Sequence, residues 1–205
     1  MRPVRDYIFR MSDLKILAVT GSLNPASVTR AVIDDIAERM SAAGCSVDVL
    51  DFHDSPMPLF DPKEAWGKPE YQAVRERVLA ADVIVLGTPD YHGSISSILK
   101  NFLDHFWKEF AGKLFATVVA SHEKGLTVHD QLRTVARQCY AWVLPYGVSF
   151  VEKQDVVEGR IETDALRGRL EMLARDLQVY GELIAQQRQA DLSGTEPGMM
   201  AMHRK

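Results

Sequence analysis

Cysteine is scarce in this chain of 205 residues: Cys45 and Cys139 are the only two, and they lie far apart. A disulfide framework or a zinc cluster needs more ligands at closer spacing, so both are excluded and a reducing cytoplasm is the expected setting. A dominant charge is missing as well, because 24 basic and 28 acidic side chains leave a net charge of −4. That balance gives no bulk attraction to a nucleic-acid backbone or an anionic membrane, and neither is expected as a partner. No apolar run nears the roughly 20 residues that span a bilayer. The N-terminal stretch, interrupted by Arg2, Arg5, Asp6 and Arg10, lacks the apolar core of a signal peptide. Two phosphate signatures are absent too. There is no G-x-x-x-x-G-K-[ST], and no G-x-G-x-x-G follows the first predicted strand, which argues against a P-loop nucleotidase and a dinucleotide fingerprint.

What is present is globular: 46% hydrophobic and 25% charged residues in a length that suits one domain. KILAVT (Lys15 to Thr20) is an almost unbroken apolar run, as expected of a strand buried on both faces. Val28, Val32, Ile36, Ala37 and Met40 then recur at helical spacing until Gly44. Further strands are predicted over Val47 to Leu50, Asp82 to Gly87, Leu114 to Ala120 and Gly147 to Val151. Helices are predicted over Glu70 to Ala81, Ser96 to Phe110, His129 to Tyr140 and through Leu166 to Tyr180, with a Pro/Asp-rich loop from His53 to Lys68. This alternation predicts an α/β fold: a flavodoxin-like three-layer sandwich around a five-stranded parallel sheet of order 2-1-3-4-5. The expected organisation is an N-terminal extension (1–13), one domain (14–189) and a mobile C-terminal tail (190–205).

In a doubly wound sheet a ligand sits beyond the carboxyl ends of the strands, which directs attention to the loops after strands one, three and four. The first, GSLNPAS, offers Gly21 for the turn, hydroxyls at Ser22, Ser27 and Thr29, and free N–H groups where a helix begins. Unsatisfied N–H groups and the helix macrodipole suit a phosphate monoester, although Ser27 would also serve as a plain helix cap. The second, Thr88 to Ser96, carries Pro89, Asp90, Tyr91, His92, Gly93 and Ser94. Tyr91 and His92 supply flat, partly polar surface beside a planar ligand, or merely a packed turn. A mononucleotide is the better candidate than a dinucleotide.

The segments GSLNPAS and TPDYHGSISSILKNFLDHF resemble the NADPH-dependent FMN reductase family, which pairs a GSxRxxS phosphate loop with a PxY-x-G-S-x-S/P-x-x-LKNxxD segment. The resemblance runs from about Leu14 to Tyr180. It implies that Ser22, Ser27, Val28 and Thr29 surround the FMN phosphate, and that Pro89, Asp90, Tyr91, His92 and Gly93 border the isoalloxazine largely through backbone N–H groups, with Ser94 nearby. Asn24 stands where the family usually has Arg, which removes a charge-assisted phosphate contact. The loop after strand four, with Ser121 and His122, occupies the place where family members close over the flavin.

The implied activity is transfer of a hydride from NADPH or NADH to FMN, with no catalytic side chain named, because nicotinamide and flavin carry the reaction. Reduced flavin would then leave, for instance for a flavin-dependent monooxygenase, or reduce a second acceptor. The alternatives are a quinone, azo or metal-oxyanion reductase with tightly bound FMN, a flavodoxin-like electron carrier without nicotinamide activity, and a sheet protein that has lost its cofactor. The aromatic stripe Phe102, Phe106, Trp107 and Phe110, wide enough to leave apolar surface uncovered, together with the resemblance predicts a homodimer or homotetramer.

Overall fold

The structure is a computed structural model that describes residues 14–204. The expected extension over residues 1–13 therefore lies outside the described residues. Strands β1 (Lys15–Thr20), β2 (Ser46–Asp51), β3 (Val83–Pro89) and β4 (Leu114–Ala120) pair in parallel in the order β2-β1-β3-β4. Two short strands follow on the far side of β4, giving the flavodoxin-like order 2-1-3-4-5. The fifth position, expected to be one strand over 147–151, is split. β5 (Trp142–Val143) pairs with the start of β4 and β6 (Val148–Phe150) with its end. Pro145, which has no N–H to give a ladder, stands in the gap between them.

Alternation along β1 sorts its side chains onto two cores. Leu17 and Val19 pack with α2 (Pro69–Ala80), α3 (Ser97–Asp104) and α4 (Leu126–Gln138); Ile16 and Ala18 pack with α1 (Val28–Ala42) and α5 (Asp164–Ser193). Both faces are dry, which is why the strand reads as a continuous apolar run.

Three expectations are corrected. The helix predicted to reach Phe110 stops at Asp104, because the His105 ring Nδ1 takes the Asn101 carbonyl (2.7 Å) and the His105 N–H falls back to Phe102 O (3.2 Å). Phe102, Phe106 and Phe110 are all buried in the α2–α4 core, so Trp107 alone of that stripe is left 59% exposed. The closing helix passes Gln189 to Ser193, and residues 199–203 form a 3₁₀ turn whose Met200 is 1% exposed. The segment expected to trail from the domain is thus folded against it. A hairpin of β7 (Val156–Val157) and β8 (Arg160–Ile161), turning at Glu158 and Gly159 with φ of 49° and 75°, has strands too short to leave a periodic signal.

Candidate functional site

The loops after β1 and β3 meet at backbone distance. Gly21 N donates to Gly87 O (2.8 Å), the Ser96 hydroxyl donates to Gly21 O (2.6 Å), and Ser96 N donates to Thr88 Oγ1 (3.0 Å). A Cβ on Gly21 would lie 2.6 Å from the Gly87 carbonyl, so only glycine permits this approach. The first loop then turns into α1. Ser27 caps the helix, its Oγ accepting from Arg30 N (3.4 Å), as the simpler reading of this residue requires. Ser22 and Thr29 are buried, and among the described residues the N–H groups of Ser22, Val28 and Thr29 find no protein acceptor. Asn24 is exposed and folded back on its own loop, Oδ1 accepting from Ala26 N (3.0 Å) and N donating to Ser22 Oγ (3.3 Å).

The second loop is a tight turn. Tyr91 and Ser94 exchange both backbone hydrogen bonds (3.0 and 3.1 Å), while His92 and Gly93 take φ of 58° and 74°, the signature of a type I′ turn. Asp90 braces it, Oδ1 accepting from Gly93 N (2.7 Å) and Oδ2 from the Ser121 hydroxyl (2.9 Å) of the third loop. The N–H groups of Asp90, Tyr91, Gly93, Ser94 and Ile95 are therefore spent inside the protein. Of the donors expected to face a flavin ring here, only the His92 N–H stays open, and the exposed Tyr91 side chain is the larger contribution of this loop.

Helix α4 holds both of these loops, which sequence reasoning missed. The Gln131 amide accepts from Ser94 Oγ (3.0 Å) and Ile95 N (3.2 Å) and donates to Gly93 O (3.2 Å). Two residues earlier, His129 sits in a buried chain. The Ser149 hydroxyl donates to Lys124 O, so it accepts from His129 Nε2–H (3.0 Å), and His129 Nδ1 accepts from Thr117 Oγ1 (2.8 Å). Burial, helped by the Arg133 charge and opposed by Asp130, pushes the imidazole down to about 4, which keeps it neutral and the chain's polarity fixed. Gly147 leaves room for the ring, since a Cβ there would lie 2.3 Å from it.

Between the loops is a cleft of about 130 Å³. It gathers ten of the predicted residues: Ser22, Asn24, Ser27, Val28, Thr29, Pro89, Asp90, Tyr91, Ser121 and His122. His92, Gly93 and Ser94 do not line it; Ser94 is turned toward Gln131. Ala26, Ala120 and Glu152 line it and were not predicted. Glu152 follows the last sheet strand, and the rule that sites lie past strand carboxyl ends pointed to that loop as much as to the other three. A larger groove of about 1010 Å³ between α1 and the hairpin shares Ala26, Ser27, Val28 and Glu152 with the cleft, but Ser22 and Thr29, which complete the set of open donors, line the cleft alone. These donors fit a phosphate: open N–H groups at a helix N-terminus beside small hydroxyls.

A doubly wound sheet of this order with such a cleft at its switch point defines the flavodoxin-like class. Residues 14–155 match the NADPH-dependent FMN reductase family, and the chain belongs to it. It is 37% identical over 140 residues to an FMN-dependent NADPH-azoreductase of Staphylococcus haemolyticus, 64% of this chain and 74% of that protein. An FMN-dependent NADPH-azoreductase of Staphylococcus aureus (strain USA300) is 34% identical over 97 residues, 45% of this chain and 52% of the other, about half its length. An NADH:FMN oxidoreductase in its apo form superposes with a TM-score of 0.68 at 19% identity, covering 82% of this chain and 89% of that one, a likeness of fold.

Proposed function

We propose that this chain is an NAD(P)H-dependent FMN reductase in which FMN is bound with its phosphate on the N-terminus of α1. The observation that carries the reading is the set of open N–H groups of Ser22, Val28 and Thr29 beside the hydroxyls of Ser22 and Ser27. When bound, FMN supplies the two-electron chemistry, taking hydride from a nicotinamide. The protein's own work is positional. Asp90 and Gln131 hold the second loop rigid, Tyr91 offers it a flat exposed surface, and the His129 chain fixes the third loop. No side chain is assigned a proton-transfer role.

A second reading, an azo or quinone reductase with resident FMN, is favoured by the names of the two staphylococcal relatives. A visible spectrum of the purified protein, followed by NADPH and NADH oxidation with and without added FMN, separates the readings. A colourless protein that turns over added FMN is the reductase proposed, whose reduced flavin would serve a monooxygenase. A yellow protein that reduces azo dyes or quinones without added flavin is the second. Failure to oxidise either nicotinamide leaves an electron carrier. The cytoplasmic setting rests on the small number of cysteines, Cys45 and Cys139, both of them buried. Among the described residues no helix is long and apolar enough to cross a membrane. A dimer or tetramer is supported by Trp107 and Trp142, which stand exposed on neighbouring segments; light scattering showing a monomer at micromolar concentration would remove it.

A further inference from the structure

We propose that Glu152 sets how readily FMN leaves, by placing an unpaired carboxylate at the phosphate end of the cleft. This rests on the reading of the cleft as the FMN site. Among the described residues no Lys or Arg lines the cleft, and its carboxylates are Asp90 and Glu152. Both Asp90 oxygens are occupied, one by Gly93 N and one by the Ser121 hydroxyl. The Glu152 carboxylate has no hydrogen-bond or ion-pair partner among the described residues. Its place along the cleft follows from the residues lining both cleft and groove: besides Glu152 these are Ala26, Ser27 and Val28, the first turn of α1 and its approach. The backbone that carries it is anchored, since Asp155 Oδ2 accepts from Val151 N (2.9 Å) and Glu152 bridges to Val156. Nor does a nearby cation compensate. Arg30, three residues past Ser27, is paired with Asp51 and lines only the groove, as does Lys153.

A phosphate dianion in this cleft is held by neutral donors and repelled by two carboxylates: Asp90, tied into the second loop by neutral donors, and Glu152, which shares its surroundings with the first turn of α1. A cation-held phosphate loses affinity as salt rises; here screening removes a repulsion instead, so affinity should rise with salt. The Glu152 carboxylate is exposed, so the effect is modest.

The test is fluorescence titration with FMN and with riboflavin, which lacks the phosphate, at low and high NaCl, for the wild type, Glu152→Gln and Glu158→Gln. Glu158 is on the groove but not the cleft and makes the same change in net charge. Glu152→Gln is expected to tighten FMN about three- to tenfold at low salt, to reduce the rise of affinity with salt, and to leave riboflavin unchanged; Glu158→Gln should alter none of these. Unchanged FMN affinity in Glu152→Gln, equal shifts for FMN and riboflavin, or an equal effect of Glu158→Gln each overturns the role of Glu152 while the FMN site stands. A wild type that binds no FMN overturns both.

Discussion

The two ends of the sheet are finished differently. At the amino end the long cationic side chains are turned onto backbone carbonyls. The fully buried Lys113 ammonium donates to Leu79 O and Ala81 O at the end of α2, Arg188 Nε donates to Ala111 O (3.0 Å), and Arg204 ties the tail back through Asp191 O (2.8 Å) and Glu196 O (2.6 Å). Met200 closes that end over Gly112. At the carboxyl end the same backbone chemistry is left incomplete at Ser22, Val28 and Thr29. Leaving donors open costs stability unless water or a ligand meets them, so the contrast supports the phosphate site proposed at the carboxyl end.

That contrast can be broken from either side. The largest effect is expected at the closed end. Gly112→Ala forces a side chain into φ of 73° with its Cβ 2.8 Å from the Met200 sulfur, and should destabilise the fold by about 2–4 kcal/mol in urea denaturation while leaving FMN affinity of the folded protein intact. At the open end the structural support titrates. His129 is held near 4 in the fold against 6.5 in the unfolded chain, so the unfolded chain takes up the proton first as pH falls. Stability should drop by about 2–3 kcal/mol between pH 6.5 and 4, and denaturation curves of His129→Gln should lack that share of the slope.

Two smaller effects bear on the cleft itself. Ser22→Ala with Ser27→Ala should weaken FMN by about 1–3 kcal/mol in calorimetry, with part of any stability loss coming from the missing helix cap. Unchanged affinity would put the phosphate elsewhere. Asn24→Arg adds a cation beside the phosphate but gives up the Asn24–Ala26 contact within the loop, so a net tightening of about 1 kcal/mol is expected at low salt, with FMN affinity losing the rise with salt expected of the wild type or falling instead. Equal affinity would mean that residue 24 points away from the phosphate.

The sheet was legible because burial on both faces writes an unbroken apolar run, and β1 and β4 have the limits that KILAVT and LFATVVA mark out. The cleft was legible where a site is built from contiguous loop residues, as in Ser22 to Thr29. It was not legible where support comes from across the fold. Gln131 reads in sequence as a polar position on a helix surface, yet it grips a turn 37 residues earlier. The aromatic stripe after Ser96 misled for a similar reason: His105 ends the helix, and that redirects Phe106 and Phe110 into the core instead of onto a surface.

The interrupted outer position of the sheet has one more consequence. A continuous edge strand offers a row of unpaired backbone groups on which a further chain can nucleate. Here that border consists of a two-residue and a three-residue piece on either side of Pro145, too short and too broken to act as a template. Along this border another copy cannot continue the ladder, so self-association there has to run through side chains such as Trp142, and aggregation by strand addition is discouraged from the same side.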